Sequence, residues 1–212
     1  MRINQEQVKS ASEQIQQLIQ HIRCATELDS LRGLEGDAAA TYFSGFDELI
    51  LSQKADFIFD GRNRRPPQDN VNAMLSFAYT LLASDCAAAL EAVGLDAYVG
   101  FLHRDRPGRK SLALDLEEEL RAPFADRLVL TLINNRVIQD KHFDRQENGT
   151  VLLNDSGRKL FLKHWQEKKR DEITHPFLKE KMPWGLVPYV QSLLLARCIR
   201  GDIDEYPPFL WK

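Results

Sequence analysis

The chain has only three cysteines in 212 residues, and Cys24, Cys86 and Cys198 lie far apart with no Cys-x-x-Cys pair among them. That excludes a sulfur-based zinc site and a disulfide framework, and it fits a reducing, cytoplasmic compartment. Charge of one sign is also lacking. With 28 Lys+Arg against 31 Asp+Glu the formal charge is -3, so no protein-wide positive field exists to attract nucleic acid, and any such binding must use local patches. The opening Met1-Arg2-Ile3-Asn4-Gln5-Glu6 has no apolar signal region. Leu186 to Ala196, read as the most apolar stretch, is interrupted by Pro188, Gln191 and Ser192. A soluble, unexported protein without a membrane partner is expected. Also missing are the βαβ alternation of nucleotide-binding folds, a Gly-x-Ser-x-Gly elbow and a His-Glu-x-x-His pair.

What is present is mainly helical. Val8, Ala11, Ile15, Leu18, Ile19 and Ile22 recur at three- and four-residue spacing and predict an amphipathic helix over 4–28. A second helix is expected over 30–51. Asp69 looks like the cap of a third running to Gly94. Tyr98 to Leu102 could be extended, and a long helix is expected over 111–136. Asn148-Gly149 marks a small hairpin. A further helix capped by Asp155 or Ser156 is expected to about 170, and another over 185–200, before Tyr206-Pro207-Pro208-Phe209 leaves helical geometry. The expected fold is a mainly α, multi-helix domain with at most a small β-hairpin. It spans 1–212 as a leading helix (1–29), a helical core (30–200) and a non-helical tail (201–212).

Four places could carry chemistry. Gly33 and Gly36 bracket Glu35 inside a helix, where each glycine costs about 1 kcal/mol relative to alanine. Either a small-residue contact between packed helices compensates, or a carboxylate is held where a metal or phosphate can come close. His103 stands where an apolar run meets a basic loop; Arg104, Arg106, Arg109 and Lys110 surround Pro107-Gly108 and suit phosphate oxygens, although a solvated loop is also credible. Arg62, Arg64 and Arg65 form a second basic group before two prolines. Asp115-Leu116-Glu117-Glu118-Glu119 opens a helix, where carboxylates complement the helix dipole in any case. Asp115 could share a face with Glu118, about 60° away around the axis, or with Glu119, about 40° away, and helical geometry does not choose. Oxygen ligands with one imidazole favour Mg²⁺ or Mn²⁺.

Taken in order, Leu31-Arg32-Gly33-Leu34-Glu35-Gly36, Tyr98-Val99-Gly100-Phe101-Leu102-His103 and Ser111-Leu112-Ala113-Leu114-Asp115-Leu116-Glu117-Glu118 resemble the three catalytic blocks of the CRISPR-associated endonuclease/integrases, the Cas-one family. The resemblance covers about 30–212. Asp126-Arg127-Leu128 and the closing Tyr206-Pro207-Pro208-Phe209 resemble its subtype I-C branch. It implies Glu35, His103 and Glu118 as ligands of Mg²⁺ or Mn²⁺, and Asp115 as an additional active-site aspartate. Glu118 departs from the Asp common at its position. The implied activity is metal-dependent cleavage of DNA phosphodiesters and transesterification that inserts spacers into a CRISPR array. The implied partners are prespacer, leader-repeat and branched DNA, the Cas-two protein and a second copy of the chain. The family's N-terminal β-rich dimerisation domain is not recognised here, which leaves a DNA-binding or assembly fragment without turnover as the competing expectation.

Overall fold

A computed structural model describes residues 5–63, 65–104 and 106–211. Its helices are α1 (Gln5–Cys24), α2 (Leu28–Ser44), α3 (Asn70–Ala92), α4 (Ser111–Leu120), α5 (Arg127–Asn134), α6 (Asp155–Arg170) and α7 (Val187–Ile199). Two antiparallel hairpins complete the described structure: β1 (Phe143–Arg145) with β2 (Val151–Leu153), and β3 (Glu172–Thr174) with β4 (Lys181–Pro183). The chain divides into two compact units, residues 1–74 with 130–157, and residues 75–129 with 158–212.

In the first unit, α1 and α2 pack together, and Gln7 reaches across to the Ser44 carbonyl at 2.9 Å. The expected 30–51 helix stops earlier, at Ser44. Gly45 ends it, and a 3₁₀ turn over Phe46–Leu49 follows, bringing Phe46 into ring contact with Phe43 and Phe59. Asp69 caps α3 as expected, accepting the Asn72 amide at 2.7 Å. The Asn148-Gly149 turn also forms, with Gly149 at φ +80°, where a side chain would be strained. It joins β1 and β2 in the register Phe143 to Leu153.

The second unit is built on the rest of α3, whose Leu75, Leu82 and Leu90 are buried. Among the described residues α3, rather than the 186–196 stretch, is by length and composition the helix long and apolar enough to cross a membrane; half of that window is buried, as in a core helix. The expected 111–136 helix is interrupted. After α4, Arg121–Asp126 forms a wider π turn containing Pro123, which has no N–H to give a regular helical ladder, and α5 resumes at Arg127. Tyr98–Leu102 is not a strand, because the amides a ladder would need are given to Asp115. The β3–β4 hairpin was not expected and brings the hairpins to two. Phe124 and Trp165 meet edge to face, Phe124 lies against Trp184, and Trp184 against Phe209 of the tail, forming an aromatic core.

Candidate active site

The site grows from the start of α4. Ala97 O accepts the Leu112 and Ala113 amides at 3.0 and 3.3 Å, so the preceding loop supplies the acceptor that the helix N-terminus lacks. One turn on, Asp115 faces the same loop. Its Oδ2 accepts the Phe101 and Leu102 amides at 2.6 and 3.1 Å; its Oδ1 accepts the His103 amide at 2.9 Å and lies 2.7 Å from His103 Nδ1. Burial opposes ionisation of Asp115, but the His103 ring and these backbone donors together hold its carboxyl below the ordinary aspartate value. An ionised carboxylate can only accept, so Nδ1 carries the proton and Nε2 is left to face a ligand.

Gly100 permits this fold of the loop. A methyl group there would lie 2.7 Å from Ser111 Cβ, 2.9 Å from Asp115 Oδ2 and 3.0 Å from the His103 carbonyl.

The other acidic residues of α4 separate by direction. Glu118 Oε1 is bound by Arg121 Nη1, and Arg121 Nε donates to Glu117 Oε1 at 2.8 Å. Glu117 is fully buried, its Oε2 has no hydrogen-bond partner, and burial pushes its carboxyl up to about 7 despite Arg121. Arg121 also lies over the Tyr79 ring, 4.7 Å from its centroid, and Tyr79 donates to Asp126 at 2.6 Å. Glu119 turns to the tail, accepting Tyr206 Oη at 2.7 Å, Gln191 Nε2 at 2.7 Å and the Phe209 amide at 2.8 Å. Of the two pairings that helical geometry allows, Asp115 with Glu119 is therefore excluded as a joint face. Arg121 was missed in the sequence, although its spacing of four from Glu117 and three from Glu118 is that of helical ion pairs.

Glu35 sits on α2 of the first unit, half-buried. A methyl group at Gly33 or Gly36 would meet nothing within 4 Å, so the small-residue packing contact is not what these glycines serve among the described residues. Among those residues no three His, Cys, Asp or Glu side chains form a ready-made metal cluster. The donor chemistry of Glu35, His103 and Glu118, two carboxylates and one imidazole oriented by an aspartate, nevertheless suits a hard divalent ion.

The basic candidates differ in their engagement. Arg62 Nη1 donates to the Asn63 carbonyl at 2.7 Å and to Asn72 Oδ1 at 2.6 Å, tying it to the start of α3. Arg64 lies outside the described residues, and Arg65 is exposed. Lys110 pairs with Glu91 at 3.2 Å and lies 5.7 Å from the Tyr98 ring centroid. Arg104 and Arg106 are exposed and Arg109 half-exposed, around Gly108 at φ +75°.

Comparison with known proteins identifies the family. The sequence model of the family described as CRISPR associated protein Cas1 matches residues 1–167. A CRISPR-associated endonuclease Cas1 of Rhodospirillum rubrum is 55% identical over 206 residues, 97% of this chain and 60% of that protein. One from Leptospira interrogans is 50% identical over 97% of this chain and 80% of its own length. Among solved structures, a casposase bound to integration product matches with a TM-score of 0.83 at 26% identity, over 92% of this chain and 55% of that one. A partial Cas6-RT-Cas1–Cas2 complex matches at 0.80 and 27% identity, over 99% of this chain and 61% of that one. The chain thus spans about 60% of the length of the R. rubrum relative. With the family model matching most of its residues and curated relatives at half identity along nearly all of it, the chain belongs to the Cas1 family.

Proposed function

We propose that this chain carries the metal-dependent DNA-cleaving and strand-joining site of a CRISPR integrase, in which Glu35, His103 and Glu118 hold Mg²⁺ or Mn²⁺ and Asp115 positions His103. The observation that carries this reading is the Asp115–His103 pair. A carboxylate on Nδ1 fixes the tautomer and the ring direction, the arrangement that metal-binding imidazoles require. A bound divalent ion would there polarise a phosphodiester oxygen and favour an ionised hydroxyl nucleophile.

The rest of the work falls to the protein. The Asp115 carboxylate keeps the His103 proton on Nδ1 and holds the amides of residues 101–103, so the imidazole does not reorganise as substrate arrives. Arg104, Arg106 and Arg109 supply cations for the flanking phosphates. Transesterification forms one P–O bond, from the incoming 3′-oxygen, and breaks another, whose oxygen leaves as a hydroxyl after taking up a proton. The bond count is unchanged, and no nucleotide cofactor is needed as an energy source. Spacer insertion, a second copy of the chain, the Cas2 protein as docking partner and a cytoplasmic location complete the proposal. The Cas6-RT-Cas1–Cas2 complex and the casposase bound to integration product support its DNA chemistry and its Cas2 partner by likeness of fold.

The test is Mn²⁺-dependent cleavage and strand transfer on branched DNA, alongside Mn²⁺ binding followed by calorimetry, for this chain and its His103→Ala form. Loss of both binding and activity on mutation is expected. Unchanged Mn²⁺ affinity in His103→Ala would overturn the ligand assignment. Salt-sensitive DNA binding without cleavage in either form would favour an assembly module instead, a reading to which the Arg121 grip on Glu118 lends weight.

A further inference from the structure

Arg121 holds two neighbouring carboxylates with unequal firmness. Its Nε donates to Glu117 Oε1 at 2.8 Å, and its Nη1 binds Glu118 Oε1. The Glu117 side chain is 1% exposed and the Glu118 side chain 31%. The guanidinium is fixed from its other side. It lies 4.7 Å from the Tyr79 ring centroid, and Tyr79 donates in turn to Asp126 at 2.6 Å. Of the three charged groups, Glu118 is therefore the one with room to move. A divalent ion on Glu118 would set its charge beside a guanidinium on the same carboxylate, and the like charges push apart.

Withdrawal of Glu118 strands a largely buried cation unless another anion takes its place. Glu117 is placed to be that anion. It is fully buried, and its Oε2 has no hydrogen-bond partner among the described residues, an arrangement that calls for an explanation. A guanidinium carries several N–H groups in a planar fork that matches the two oxygens of one carboxylate. Arg121 uses a single nitrogen on Glu117, so a second bond, to Oε2, requires a turn of one group rather than a new partner.

We infer that Glu117 is a positioning residue that takes over Arg121 as Glu118 turns to the metal, so that the Arg121 grip on Glu118 is a releasable latch. The inference rests on the proposed role of Glu118 as a metal ligand. It gives the unpartnered oxygen of Glu117 a use, and it makes Arg121 a holder of the ligand rather than an obstacle to it.

The experiment reads the Arg121 guanidinium by carbon-detected NMR of the whole chain at pH 8, above the value of about 7 to which burial lifts the Glu117 carboxyl. A held guanidinium gives separate Nη1 and Nη2 signals, whereas one that rotates about its Cζ–Nε bond gives an average. Glu118→Ala imitates the withdrawal of Glu118 without any metal. Separate signals should persist in it and merge when Glu117→Gln is added. Merged signals in Glu118→Ala alone would overturn the inference. Separate signals in the double variant would do so too, since the Tyr79 ring would then suffice to hold Arg121. Mg²⁺ titrations followed by calorimetry and by the His103 ¹⁵N signals complete the test. Glu117→Gln should weaken Mg²⁺ binding about tenfold, and Mg²⁺ should merge its Arg121 signals while leaving those of wild type separate. Unchanged affinity would mean that Glu118 serves guanidinium and ion together, and weaker binding without merging would mean direct attraction between Glu117 and the ion; either overturns the latch. Should Glu117→Gln lose its helical circular dichroism, Glu117→Met fills a similar volume without charge and takes its place. The two readings fail separately. His103 signals that respond to Mg²⁺ while Glu118→Ala merges the Arg121 signals would keep the metal site and remove the latch. His103 signals that ignore Mg²⁺ in every form would remove the metal site, and with it the latch, even where Glu117 still holds Arg121 in Glu118→Ala.

Discussion

Asp115 concentrates more of the site than any neighbouring side chain, because four donors from one three-residue stretch converge on its two oxygens. Asp115→Asn keeps one acceptor and turns an NH₂ toward donors, leaving partly buried N–H groups without partners. The variant should lose about 1–3 kcal/mol in urea unfolding. It should also release the His103 tautomer, which ¹⁵N NMR of the imidazole would show as loss of the single Nδ1–H form. A variant with the wild-type tautomer would contradict the positioning role. Gly100→Ala attacks the same loop sterically, its methyl falling 2.7 Å from Ser111 Cβ, and should cost about 1–3 kcal/mol by overpacking. Unchanged unfolding midpoints would show that the loop yields more readily than its contacts indicate.

At the scale of elements, the structure separates what local sequence determines from what distant contacts decide. The Asp69 cap, the Asn148-Gly149 hairpin and the start of α7 follow from residues a few positions apart, and they stand where the pattern puts them; α6 is capped by Asn154, whose Oδ1 accepts the Gly157 amide at 2.9 Å, rather than by Asp155 or Ser156. The π turn after α4 depends on Pro123 in a segment whose periodicity otherwise reads as continuous helix. The direction of Glu119 depends on a tail nearly ninety residues away. The candidate site was legible the same way: the residue types and their blocks could be read, but not that Asp115 binds His103 while Arg121 takes Glu118.

The β3–β4 hairpin is joined to that tail through a buried relay. His175 Nε2 meets Gln191 Oε1 at 3.1 Å, and Gln191 Nε2 donates to Glu119 and to Tyr206 Oη. The Phe177 and Leu178 amides point at His175 Nδ1, at 3.3 and 3.2 Å, so that nitrogen must accept and the ring must be neutral. Burial lowers the His175 pKa below 6.5 despite the Gln191 bond, and the Lys179 charge adds to the effect. The folded state then binds fewer protons than the unfolded state below about 6.5. The stabilisation is therefore complete above that pH and is lost as pH falls through the depressed folded value. His175→Gln cannot titrate, so its stability difference from wild type should narrow on acidification, as urea midpoints at pH 7.5 and pH 5 would show. A constant difference would remove His175 from the acid response.

For the whole molecule, the formal charge of -3 makes the proposed DNA recognition a local matter. A diffuse field cannot supply it, so the salt dependence of binding counts the few cations that meet phosphates. Each neutralised phosphate contributes about 0.7 to 0.9 to the slope of log K against log salt. Arg104 and Arg106 are exposed beside His103, Arg62 donates to Asn72, and Lys110 pairs with Glu91. Arg104→Ala with Arg106→Ala should therefore flatten the slope by about 1.5 and leave Mn²⁺ affinity as it was. Arg62→Ala should act chiefly on stability, because it removes the guanidinium that holds the start of α3. Equal loss of slope from both changes would mean that phosphates track across the first unit as well. An unchanged slope in the double variant would move the phosphate contacts off this loop altogether, and with them the argument that the basic residues beside His103 orient the scissile strand.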